Sequence, residues 1–179
     1  MRKTISSIVA ATTLAGALAL GAASPADASV PRSYSNALAQ ATDYVHSEDF
    51  SKAGLYEQLH SPYGGHFSAA AARYGVNHVK VNWSHEALGS AQSYVRSEDF
   101  SKKGLFRQLT SSAGSGFTAG QANYALKHVT VNYNKEALAA AKSYEKLFHM
   151  SDAELFDQLT SASGAQFTAS QAHYAINHL

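Results

Sequence analysis

An internal repeat with a constant period of fifty residues constrains this chain more than any other feature. Residues 37–79 and 87–129 are identical at 23 of 43 positions, and 15 of those positions are also identical in 137–179. Self-similarity at a fixed spacing of this length is typical of tandem structural repeats, which fold alike and pack against their neighbours. We therefore divide the chain into repeats at 37–86, 87–136 and 137–179.

Each repeat contains three stretches with helical periodicity, and no alternating strand pattern appears. In the first stretch Leu38, Ala41 and Val45 recur at helical spacing, which predicts a helix from about residue 36 to residue 46. In the third stretch of the second repeat, apolar residues follow the i, i+3, i+4, i+7 pattern at Ala122, Ala125, Leu126 and Val129. The predicted fold class is all-α, with three tandem three-helix, helix-turn-helix-like repeats.

Serine and threonine residues mark the predicted starts of the second and third helices. Phe50 and Leu55 lie on either side of Ser51 at the spacing of a hydrophobic staple around an N-cap. Elsewhere a serine or threonine is followed three residues later by glutamate or glutamine, which is the capping-box pattern. The predicted capping residues are Ser51, Ser101, Ser151, Thr118, Gln121, Thr168 and Gln171.

Two glycines inside a first helical turn need a separate explanation. Gly54 and Gly104 follow the predicted cap by three residues, where glycine costs up to about 1 kcal/mol relative to alanine. Close approach of another backbone or of a ligand would explain them, although Glu154 fills the same position in the third repeat.

The first 28 residues have the layout of a secretory signal peptide. Arg2 and Lys3 precede an uncharged Ala/Leu-rich run, and the triplet ending at Ala28 is a cleavage pattern. A membrane anchor is the alternative, but the run is weakly hydrophobic. Cleavage would leave a short segment at 29–36 before the first repeat. We expect a secreted, extracellular protein, held at most non-covalently at the cell surface, with no stable membrane span after cleavage.

The mature chain is electrically balanced. Without Arg2, Lys3 and Asp27 the basic and acidic residues fall from 14 and 13 to 12 each. No basic stripe stands out, which argues against nucleic acid as the partner. The sequence contains no cysteine, so the packing of helices and their caps must supply the stability.

The acidic pairs Glu48/Asp49 and Glu98/Asp99 are the first candidate functional residues. Paired carboxylates can share acid and base roles in glycoside hydrolysis, provided that they face each other across a cleft. Directly before a helix, negative charge is favoured by the helix dipole, which is the simpler interpretation. The alternative is that these four residues contact a partner.

The recurring histidines are a second set of candidate functional residues. His78, His128 and His178 occur once per repeat, so copies in successive units are too far apart to share one zinc ion at a bond length of about 2 Å. They lie beside the apolar face, and we expect them to pack and hydrogen-bond against the next helix or the next repeat. No nucleophile motif, phosphate-binding loop or metal-ligand cluster appears in the sequence, so we predict neither a cofactor nor an enzyme.

The repeated pattern resembles a known family. Residues 87–129 and 137–179 follow the pattern A-L-x-x-A-x-x-Y…G-x-x-F-T-x-x-Q-A-x-Y-A-x-x-H, which is similar to the repeat of the Ltp family, the host cell surface-exposed lipoproteins of Gram-positive bacteria and their phages. The resemblance implies helical repeats outside the cytoplasmic membrane. For phage-encoded members it implies superinfection exclusion, through contact with the tape measure protein of an incoming phage. This chain lacks the lipobox cysteine of those members.

These observations predict a secreted, non-enzymatic binding protein of the bacterial surface, whose repeats present a surface to a protein or cell-envelope partner. One alternative is a superinfection-exclusion factor that blocks DNA injection through the tape measure protein. Another is a cell-wall hydrolase that uses the acidic pairs Glu48/Asp49 and Glu98/Asp99.

Overall fold

A computed structural model describes residues 30–179, so the predicted signal peptide at 1–28 lies outside the described residues. In the described part the chain forms nine α-helices and no strand, which confirms the all-α prediction. None of these helices is long and apolar enough to cross a membrane. The helices are α1 (Arg32–Ser47), α2 (Lys52–His60), α3 (Ala69–His78), α4 (Trp83–Ser97), α5 (Lys102–Thr110), α6 (Ala119–His128), α7 (Tyr133–Phe148), α8 (Asp152–Thr160) and α9 (Ala169–Ile176).

In the structure we take α1–α3, α4–α6 and α7–α9 as the first, second and third repeats, so residues 83–86 and 133–136 belong to the repeat that follows. Each repeat of three helices has its own apolar core, built around two leucines of its second helix. Leu55 and Leu59 are fully buried, and they lie four residues apart, so they face the same side of α2. The first and third helices of each repeat pack closely through small residues. A Cβ added to Gly75 of α3 would lie 2.7 Å from the carbonyl oxygen of Ala37 in α1. Glycine at position 75 therefore allows the two helix backbones to approach.

Side-chain caps define most of the helix starts. Thr118 with Gln121, Thr168 with Gln171, and Ser151 with Glu154 form reciprocal capping boxes at α6, α9 and α8. The Asn82 and Asn132 side chains accept backbone N–H groups at the starts of α4 and α7. α1 begins at Arg32, earlier than the sequence predicts, because Pro31 opens a first turn whose polar residues carry no apolar periodicity.

The turn between the second and third helices has the same backbone in every repeat. In the first repeat, the Gly65 N–H bonds to the Gln58 carbonyl oxygen at 2.8 Å, and the Phe67 N–H bonds to that of Leu59 at 3.0 Å. A Cβ added to Gly64 would overlap the Gln58 carbonyl, which explains the glycine in all three copies. The residue before the phenylalanine has a left-handed backbone in each repeat; the three are His66, Gly116 and Gln166. In the second and third repeats this turn faces the preceding repeat.

Candidate functional site

Successive repeats contact each other at the N-cap serine that starts the second helix of a repeat. This serine packs against the turn between the second and third helices of the following repeat. Ser101 Oγ donates a 2.6 Å hydrogen bond to the Ala165 carbonyl oxygen and accepts the Gly104 N–H at 3.0 Å. Ser51 and Ser101 are each only 2% exposed. Ser151 is exposed, and no repeat covers it within residues 30–179. Ser101 therefore joins two repeats as well as starting a helix, and Ser51 is buried at the equivalent position of the first junction.

The two unexplained glycines lie at these junctions. A Cβ at Gly104 would be 3.2 Å from Ser101 Oγ and 3.7 Å from the Ala165 carbonyl oxygen. A Cβ at Gly54 would be 3.8 Å from the Ser115 carbonyl oxygen. A side chain longer than a methyl group would meet the turn of the next repeat. The backbone that approaches these glycines is thus that of the following repeat.

The acidic turn of the first repeat also contacts the second repeat. Ser90 Oγ in α4 donates to the Asp49 carbonyl oxygen at 3.4 Å, and the Phe50 N–H donates to Glu86 Oε2 at 3.2 Å. A Cβ at Gly89 would overlap the Asp49 carboxylate. The turn therefore precedes α2, as the sequence predicts, but it is also packed against α4.

Partial burial at the two junctions raises the pKa of four carboxyl groups, of which Glu86 and Glu136 are half-buried and Asp49 and Asp99 remain largely exposed. Desolvation raises the pKa of Asp49, and the nearby Arg96 guanidinium partly opposes this. Desolvation also raises the pKa of Glu86, where the Phe50 N–H lowers it and the Asp49 charge raises it further. At the second junction desolvation raises the pKa of Asp99 and of Glu136, and the Asp99 charge adds to the shift of Glu136.

The structure places each aspartate of the acidic pairs beside a carboxyl group of the following repeat. Glu48 and Glu98 are exposed beside the ends of α1 and α4. Asp49 and Asp99 are instead near Glu86 and Glu136 of the next repeat, and both members of each pair have a raised pKa.

A groove opens on another side of the first junction, between α2 and α3 of the first repeat and the turn before α6. We call it groove A, and its volume is about 460 Å³. Its floor contains the apolar parts of Tyr56 and Val76, and its rim carries the exposed cations Lys52 and Arg73 beside one acid, Glu57. The Arg73 guanidinium lies 5.9 Å from the centroid of the Tyr56 ring. Groove A combines apolar surface with positive charge.

The second junction has an equivalent groove, which we call groove B. It lies between α5, α6 and the turn before α9, and its volume is about 600 Å³. Phe106 and Leu126 replace Tyr56 and Val76 fifty residues later. Three basic residues and no acidic residue line it; they are Lys102, Lys103 and Arg107. The same repeat positions thus build the same kind of groove twice.

Comparison with known protein families decides what the repeat is. A family model described as host cell surface-exposed lipoprotein matches residues 32–79, 82–129 and 132–179. The chain belongs to the Lipoprotein_Ltp family. The resemblance that the sequence indicated is therefore confirmed, and each matched segment contains the three helices of one Ltp repeat.

The comparison with curated proteins gave no match. Among solved structures, the chain is 33% identical to Ltp, a superinfection exclusion protein from the Streptococcus thermophilus temperate phage TP-J34. The likeness covers 56% of this chain and 99% of that chain, with a TM-score of 0.49.

The third Ltp repeat presents the same face with different charge. Asp152 and Asp157 stand where grooves A and B have Lys52 and Glu57, or Lys102 and Arg107. No following repeat closes this depression within the described residues, and its volume is about 400 Å³. At the end of α7, Leu147 and Phe148 are 68% and 62% exposed, at positions that are polar in the other two repeats. The basic character is therefore confined to grooves A and B.

The histidines of the Ltp repeats pack on their own helices. The His78 ring stacks on Tyr74 with 3.9 Å between centroids, and His78 Nδ1 lies 2.8 Å from the Tyr74 carbonyl oxygen. Tyr174 and His178 repeat this geometry, with centroids 4.0 Å apart. No group of three metal-ligating side chains occurs in the part of the chain that the structure describes. Of the recurring histidines, His78, His128 and His178 thus each pack on a tyrosine of their own helix, and not on the next helix or the next repeat as the sequence predicts.

Sequence reasoning missed grooves A and B. Lys52 and Lys102 follow the cap serine at equal positions, and Tyr56 and Phe106 follow four residues later. This recurrence of a cation and an aromatic residue on one helix face was a detectable signal. The third wall comes from the next repeat, and the sequence of one repeat does not predict that wall.

Proposed function

We propose that this chain is a non-enzymatic protein of the bacterial cell surface that binds a protein partner through grooves A and B. The observation that carries the proposal is that one groove, with an apolar floor and a basic rim, is built twice from equivalent positions. Concave sites with apolar floors and a few placed charges are typical of binding sites. Membership of a family of surface-exposed proteins and the predicted signal peptide support the location.

Affinity capture tests this function. The mature chain, from residue 29, should retain a specific protein from cell-envelope extracts or phage lysates. A variant with Lys102→Glu, Lys103→Glu and Arg107→Glu should lose it, because the rim of groove B changes sign. A matched control reverses three exposed lysines that do not line the grooves: Lys80→Glu, Lys135→Glu and Lys142→Glu. Equal capture by both variants would exclude the grooves as the binding surface.

Superinfection exclusion is the second candidate function. Membership of the Ltp family favours it, since the resemblance to phage-encoded members implies a block of DNA injection. Expression of the chain in a phage-sensitive host should then reduce injection of phage DNA without reducing adsorption. Unchanged plaque counts would rule this function out, while the capture experiment would still test binding through the grooves.

A further inference from the structure

We propose that grooves A and B together hold one linear segment of the partner, in which large apolar side chains alternate with acidic residues. This inference rests on the proposed function and names the chemistry of the partner. Five basic side chains line the two grooves against one acid, Glu57. Complementary charge across an interface steers association and selects the partner.

The grooves are arranged for a linear occupant. Each is built from a second helix, a third helix and the following turn, so both lie on the equivalent side of their junctions, one repeat apart. A partner segment long enough to cover one repeat would reach both grooves. Joining two weak contacts in one segment raises the overall affinity through effective concentration, about 100-fold or more where the linker spans both sites.

The floors favour a protein segment over a simple polyanion. Tyr56 and Val76 in groove A, and Phe106 and Leu126 in groove B, offer apolar surface that a phosphate or sulfate polymer cannot use. Aromatic floors with a cationic rim instead suit Phe, Leu or Tyr side chains flanked by carboxylates. The mature chain also has no net charge, so it lacks the general attraction for polyanions.

The third repeat limits the segment to two grooves. Asp152 and Asp157 make the corresponding depression acidic, and an acidic segment is repelled there. The expected partner segment therefore carries two apolar clusters, each beside acidic residues, and ends before the third repeat.

A random peptide display library is a direct probe of this chemistry. Selection on the mature chain should enrich peptides rich in Asp or Glu together with Phe, Leu or Tyr, and their binding should weaken steeply as salt rises. Binding should fall about tenfold or more in the groove A variant, Lys52→Glu with Arg73→Glu, and equally in the groove B variant, Lys102→Glu with Lys103→Glu and Arg107→Glu. The triple control, Lys80→Glu with Lys135→Glu and Lys142→Glu, should bind as the wild type.

Each other outcome overturns the inference. Enrichment of neutral or basic peptides, or no enrichment, contradicts the acidic, apolar chemistry. Loss of binding in only one groove variant contradicts a segment that spans both grooves. Heparin binding at physiological salt that displaces the selected peptides would assign the grooves to a polyanion. Circular dichroism of every variant establishes that the helices are retained. Capture of a natural partner that lacks an acidic, apolar segment would leave the proposed function standing and refute this inference alone.

Discussion

Gly104→Glu should separate the second repeat from the third without unfolding either. Glu154 shows how a glutamate behaves at this position: its carboxylate accepts the Ser151 hydroxyl at 2.6 Å and the Ser151 N–H at 2.9 Å. A glutamate at position 104 can bind Ser101 in the same way. The space that it needs is occupied by the Ala165 carbonyl, which lies 2.6 Å from Ser101 Oγ.

The cost falls on the junction and not on the helix. Loss of the Ser101–Ala165 hydrogen bond removes about 0.5–1.5 kcal/mol, and a carbonyl left without a partner there costs about 1–3 kcal/mol. The start of α5 gains about 0.5–1 kcal/mol, because glutamate has a higher helix propensity than glycine. Each 1.4 kcal/mol lost by the junction changes the ratio of joined to separated repeats about tenfold.

Spin-label distances measure this separation directly. The chain has no cysteine, so Ala113→Cys and Ser163→Cys place one label on an exposed turn of each repeat. Double electron–electron resonance should give a narrow distance distribution in the parent and a broad one with Gly104→Glu. The matched control is Glu154→Gly, which removes the cap glutamate of α8, where no described repeat lies over Ser151. It should lower the melting temperature and leave the distribution narrow.

A narrow, unshifted distribution in Gly104→Glu would refute the reasoning, because the turn around Ala165 would then not need the space that Gly104 leaves open. Broadening in Glu154→Gly would refute it in another way. It would show that helix stability, and not contact between repeats, sets the distance.

Further predictions concern the caps, the core and the acidic junction. Ser151→Ala should cost about 0.5–2 kcal/mol by chemical denaturation, and Ser101→Ala should cost about 0.5–1.5 kcal/mol more, because it also loses the bond to the third repeat; equal losses would contradict the joining role. Phe117→Ala should cost about 3–5 kcal/mol, since its side chain is only 3% exposed, and a milder loss would mean that the core refills. Folding raises the pKa of Asp99 and Glu136, so the folded chain binds more protons than the unfolded chain between the unfolded and folded pKa values. Their contribution to the free energy of unfolding is thus fully present below the unfolded pKa values and is lost as pH rises through the folded pKa values. Melting scans from pH 4 to 7 should show that the melting temperature depends less on pH in the double variant Asp99→Asn with Glu136→Gln than in the wild type. Parallel curves of melting temperature against pH would contradict this.

The fold within one repeat could be predicted because short-range contacts decide it. The staple residues Phe50 and Leu55, and the cap Ser51 between them, are neighbours in sequence and act within one helical turn. The buried Leu55 and Leu59 follow from helical spacing alone. The start of α1 was missed, because its polar first turn carries no apolar periodicity.

The junctions could not be predicted, because their contacts join residues that are far apart in sequence. The bond from Ser90 to Asp49 spans 41 residues, and the bond from Ser101 to Ala165 spans 64. Nothing in the neighbourhood of Asp49 indicates that Glu86 of the next repeat lies beside it. The acidic pairs therefore suggested acid–base catalysis or a favourable interaction with the helix dipole. Nothing near them in sequence indicated that the next repeat would desolvate the aspartates.

The residue three positions after the cap distinguishes the partner of Ser101 from that of Ser151. Where it is glycine, as at Gly104, the serine hydroxyl is free to bond the carbonyl of the following turn. Where it is glutamate, as at Glu154, the carboxylate takes that hydroxyl, and a following repeat docked in the same geometry would collide with it. The third repeat has Glu154 at this position, and no described repeat lies over its cap. Glu154 therefore supports the explanation that the glycines leave room for the following repeat. The glycine is required by contact between repeats and not by the helix that contains it.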